Sequence, residues 1–138
     1  MPAALMDHGN EDPSEALLKK VGDLSGIEVL GSDVLLITYI RPNRTKSGLY
    51  LADDTVNEDK YQGKCFLVGK MGPLAFLDEN GNKFRDIKEG DWVVARASDG
   101  LALTLNPENS ISSANAVPCR IITDINIRIR VSSPDAIY

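Results

Sequence analysis

The residues of this chain that could do chemistry are few and scattered. The single histidine, His8, lies in a polar stretch near the N-terminus, and the two cysteines, Cys65 and Cys119, are far apart with no Cys-x-x-Cys. No transition-metal site is legible in that set. The thiols read as small buried hydrophobes rather than a disulfide framework. Asp53, Asp54, Glu58 and Asp59 gather carboxylates in one short run, which would suit a cation or a carboxylate pair. They lack the ordered spacing of ligands, and the alternative is that they keep the run solvated. No Gly-x-Gly-x-x-Gly turn marks a dinucleotide site. Neither catalysis nor a cofactor is expected.

What remains is a stretch better suited to binding than to reaction. Lys46-Ser47-Gly48 leads into Leu49-Tyr50-Leu51, three large apolar residues between a basic, polar approach and the polar run 53–60. Pro42 cannot donate to a strand ladder, and Gly48 loosens the backbone, so pairing should stop after Ile40. One reading makes Leu49-Tyr50-Leu51 a short edge strand with the two leucines inward. The other makes residues 46–51 a docking loop whose apolar triplet is covered by a partner.

The elements that would carry this stretch are mostly β. The 138 residues suit one domain. Hydrophobic residues at 43% and charged residues at 25% describe an ordinary soluble composition. A net charge of −5 argues against broad attraction to nucleic acid or anionic lipid. No apolar run reaches the length of a membrane span and no leader pattern opens the chain, so a cytoplasmic protein is expected.

Asp12-Pro13-Ser14-Glu15 reads as a helix start, with Asp12 as cap and Pro13 in the first helical position. Leu17, Leu18 and Val21 would form its apolar stripe, and Gly22 its stop. From Ile27 the period changes to that of strands. Val34-Leu35-Leu36-Ile37-Thr38-Tyr39-Ile40 reads as a buried strand, Gly63-Lys64-Cys65-Phe66-Leu67-Val68-Gly69 as a second, bounded by glycines, and Asp91-Trp92-Val93-Val94-Ala95-Arg96 as a third, entered through the turn Lys88-Glu89-Gly90. Between the last two, Asn80-Gly81 predicts a projecting hairpin over 71–86. Leu101 to Leu105 alternates like a further strand, 106–116 reads as a surface loop, and Cys119 to Ile122 leads to a last strand.

In that last strand Ile125, Ile127, Ile129 and Val131 alternate with polar residues, so one aliphatic face and one polar face are expected, the latter carrying Arg128 and Arg130. The arginines read as a solvated face, or alternatively as a subunit contact or anion site.

Several motifs in order carry a resemblance. Thr45-Lys46-Ser47-Gly48-Leu49-Tyr50-Leu51, then Gln62-Gly63-Lys64 and Val68-Gly69, then the hairpin, Gly90-Asp91-Trp92-Val93-Val94, and Thr123-Asp124-Ile125 resemble the GroES-like co-chaperonins, and the chain looks like a divergent, phage-encoded member. The likeness covers roughly 27–131. It departs at Val29-Leu30-Gly31-Ser32-Asp33-Val34, where the family commonly has Pro-Leu-Gly-Asp-Arg-Val, and at Ser47-Gly48 in place of a Gly-Gly.

The resemblance implies an all-β fold, a small β-barrel over 27–131 with a mobile loop at 41–59 and a roof-like hairpin at 71–86. An extension with a short helix (1–26) would precede it and a tail (132–138) would follow. It implies a co-chaperonin that caps a chaperonin ring and assists ATP-dependent folding. Lys46, Ser47, Gly48, Leu49, Tyr50 and Leu51 would enter the groove of the chaperonin apical domain. Ile125, Ile127, Ile129 and Val131 would form the subunit edge of a homo-oligomeric ring, in which several weak loops act together. The alternative expectation is a virion decoration or connector protein that reuses the barrel, with its terminal extensions strapping neighbours together.

Overall fold

The structure, a computed structural model, describes residues 12–40, 65–96, 98–105 and 116–134. They are mostly β. The order is helix α1 (Pro13–Val21), then strands β1 (Asp33–Thr38), β2 (Cys65–Met71), β3 (Trp92–Ala95), β4 (Leu101–Leu105), β5 (Val117–Thr123) and β6 (Ile127–Val131). The strands make one antiparallel sheet in the order β4-β5-β1-β2-β3-β6, with β4 and β6 at its edges. No helix among the described residues is long and apolar enough to cross a membrane.

The unbroken apolar run of β1 is explained by burial on both faces. Val34 and Leu36 enter one core cluster and Leu35 and Ile37 the other, all fully buried. A strand covered on one face only would have alternated. The first cluster joins Phe66, Val68, Val93, Ile122 and Ile127, roofed by Ala75, Phe76 and Ile87 from the connection between β2 and β3. The second joins Cys65, Leu67, Trp92, Val117 and Cys119, covered by Val21, Val29 and Tyr39. Tyr39 meets Trp92 edge to face at 5.5 Å between ring centroids. Burying each such side chain contributes about 1.5–3 kcal/mol against exposure, before the entropy of ordering it.

Helix α1 begins at Pro13 and ends at Gly22, as its sequence signals require, but two expectations differ. Asp12 sits at the cap position without bonding a helix N–H, because its carboxylate takes the Ser14 hydroxyl instead. Leu18 is 40% exposed, while Leu17 and Val21 pack on the second cluster. Thus the helix rests on a narrower stripe than three residues. The turn after it is pinned to the sheet by Lys70, whose Nζ donates to the carbonyls of Leu24, at 2.9 Å, and Ile27. In the same turn Asp23 accepts the backbone N–H and the hydroxyl of Ser25, which holds its carboxyl below the usual carboxylate range.

The hairpin expected over 71–86 is a compact excursion with one isolated bridge, Leu77 to Lys83, rather than a long ladder. Gly81 turns it with φ +79°, and Asp78 Oδ1 gathers the N–H groups of Asn80 and Asn82, each at 2.9 Å. At its base the Phe84 N–H donates to the Phe76 carbonyl at 2.9 Å.

Candidate functional site

The expected docking residues, Lys46, Ser47, Gly48, Leu49, Tyr50 and Leu51, and the acidic run Asp53, Asp54, Glu58 and Asp59 lie outside the described residues. Their anchor points do not. Thr38 of β1 is paired with Phe66 of β2, and the Tyr39 N–H donates to the Cys65 carbonyl at 3.1 Å. The 41–64 connection therefore leaves and re-enters the sheet between two adjacent central strands, at one end of the pair.

The other expected surface, the last strand, is described, and its two faces are not as alternation predicts. The chain forms a 3-10 turn over Asp124–Asn126, so Ile125 precedes the strand and stands 63% exposed. Within β6 the register steps from Val94↔Ile129 to Ala95↔Ile127, leaving Arg128 as the extra residue of a β-bulge. A bulge resets which face each side chain takes. Ile127 accordingly joins Val93 and Ala95 in the first cluster, fully buried, whereas Val131 packs with Trp92 in the second. Ile129 is left 51% exposed. Of the four residues expected at a subunit edge, Ile127 belongs to the chain's own core and Val131 packs, half buried, on the second cluster; Ile125 and Ile129 are exposed.

Sequence reasoning did not find what lies beside this edge. The return limb of the hairpin runs along β6, and arginines bridge the two. Arg85 Nη1 donates to the Ile127 carbonyl and Arg130 Nη1 to the Asp86 carbonyl. Arg130 also lies 3.3 Å from the Asp91 carboxylate. Between them opens a groove of about 310 Å³ lined by Arg85, Asp86, Ile87, Arg128, Ile129 and Arg130. The contacts join residues more than 40 positions apart, and no local pattern announces them.

The two thiols are inert by position. Cys65 and Cys119 are both free and buried, and burial pushes each up to about 12 from an ordinary 9.0. At neutral pH neither is a thiolate nucleophile. The sequence matches no protein-family model and no curated protein.

Proposed function

We propose that this chain is a subunit of a GroES-like co-chaperonin, which closes its sheet into a small barrel, assembles through the outward residues of the β6 edge, and docks on a chaperonin through residues 46–51. The observation that carries the reading is the site of the 41–64 connection. It joins the central pair β1 and β2 beyond the Thr38↔Phe66 register, so both anchor points of the segment that carries the apolar triplet lie at one end of that pair. The order of features supports it too: hairpin between β2 and β3, Gly90-Asp91 leading into β3, and Thr123-Asp124-Ile125 leading into an edge strand. The first core cluster draws on β1, β2, β3, β5 and β6, as the interior of a small barrel would. No nucleotide, metal or nucleic acid enters this function on the chain's own side.

The virion alternative gave the terminal extensions the role of straps. Helix α1 buries Val21 in the chain's own core, so a strap would have to come from the rest of the extensions. The two separate in one experiment. Purified protein is sized by light scattering and mixed with a chaperonin with and without ATP. A co-chaperonin forms a free oligomer captured only when nucleotide is present; a monomer ignored by the chaperonin in both states would sink the reading.

A further inference from the structure

The groove beside β6 is basic in an acidic chain. The sequence carries 20 acidic against 15 basic side chains, yet three guanidinium groups, of Arg85, Arg128 and Arg130, surround this one opening. Two are held in place, Arg85 by the Ile127 carbonyl and Arg130 by the Asp86 carbonyl and the Asp91 carboxylate. Each of these bonds engages one nitrogen of a planar, five-donor fork and leaves further N–H groups able to donate. Arg128, on the bulge, is exposed, and among the described residues its guanidinium has no hydrogen-bond or ion-pair partner. Among the described residues that line the groove, Asp86 alone brings a carboxylate.

Two further observations fix the kind of occupant. The outer side of β6 has no ladder partner among the described residues, and Ile129 stands half exposed between Arg128 and Arg130. An unpaired edge with an apolar side chain calls for a protein surface rather than a free ion. Forks preset for bidentate bonds call for carboxylates on that surface. The chain itself offers an excess of them. We propose that this groove is a carboxylate-binding site that receives a second copy of the chain, so that assembly at the β6 edge is held by guanidinium–carboxylate pairs and loosens with salt and with competing oxyanions.

The inference rests on the homo-oligomer of the proposed function and adds the chemistry and regulation of its contact. The test is sedimentation of the full chain and of Arg128→Gln and Arg128→Lys. Wild type should lose mass as NaCl rises from about 0.05 to 0.5 M, over which screening shortens severalfold. Pyrophosphate should lower the assembled fraction at matched ionic strength. R128Q should associate at least about tenfold more weakly, and R128K, which keeps the charge without the fork, should fall between, with the melting of the dissociated chain unchanged in both. Assemblies of constant mass in high salt and in R128Q would overturn this inference and leave the co-chaperonin reading standing. Wild type that stays monomeric at low salt would overturn both. Pyrophosphate binding that needs Arg128 but does not disturb assembly would make the groove a small-anion site and overturn the second copy as its occupant.

Discussion

The carboxylate of Asp124 accepts a 2.7 Å hydrogen bond from the backbone N–H of Phe76, 48 residues away in sequence. Both partners are buried, and Phe76 holds φ at +62°, a left-handed conformation rare for a bulky residue. The same aspartate donates its own N–H to the Ser32 carbonyl at 3.1 Å. One residue, through its side chain and its backbone N–H, thus ties the start of the 3-10 turn, the base of the hairpin and the entry to β1 into a single knot.

Replacing Asp124 with Ala leaves the Phe76 N–H buried without a partner, on top of the backbone strain it offsets. The expected loss is about 2–3 kcal/mol of unfolding free energy by urea titration. Asn retains an acceptor oxygen and should lose less. Equal stability of D124A and wild type would show that the bond holds nothing.

Gly100, in the turn before β4, has φ +73°, and a Cβ there would lie 2.1 Å from the Ile121 carbonyl oxygen. Gly100→Ala therefore combines a strained backbone with a clash against β5. We expect a destabilisation of at least about 2 kcal/mol, read from thermal or urea unfolding. Gly26 has nothing within 4 Å of its added Cβ and no positive φ. Gly26→Ala is the control, expected within about 0.5 kcal/mol of wild type.

The buried thiols set a pH dependence. Their folded values, raised to about 12, exceed the ordinary 9.0 because burial disfavours the thiolate. The unfolded chain therefore releases protons first, and stability is fully present below pH 9.0 and declines as pH rises towards about 12. Replacing both cysteines with Ala should flatten this alkaline decline while costing some core packing. In native buffer at pH 8 a thiol reagent should label neither residue until the chain is unfolded; rapid labelling would refute their burial.

Much of this arrangement was legible because its signals are local. Helix α1 starts at Asp12-Pro13 and stops at Gly22, and the apolar density of β1 announces a strand covered on both faces. The face of each residue in the last strand was not legible, because period-2 reasoning assumes an unbroken ladder. The bulge at Arg128 adds one residue, and that addition alone moves Ile127 into the core and leaves Ile129 outside. Leu18 was misread for a similar reason: the width of a helix stripe depends on the surface it meets. Arg85 could not have been foreseen at β6, since its contact depends on how the hairpin folds back.

The last prediction concerns Leu49 and Leu51, and it divides docking from packing. If the triplet serves a partner, Leu49→Ser with Leu51→Ser removes most of its apolar contact, while the two clusters around β1 keep every described member. Thermal melting should then change little, because the buried residues that hold the sheet are untouched. Binding should suffer instead. A loss of even about 1.4 kcal/mol is tenfold for each loop, and in an oligomer the losses compound across the loops that must engage together. Capture by an ATP-loaded chaperonin should fall below detection, and refolding of a chaperonin-dependent client should fall with it. Two results would sink the docking role: refolding activity equal to wild type, or a melting temperature that collapses with activity, which would make Leu49 and Leu51 part of the chain's own core.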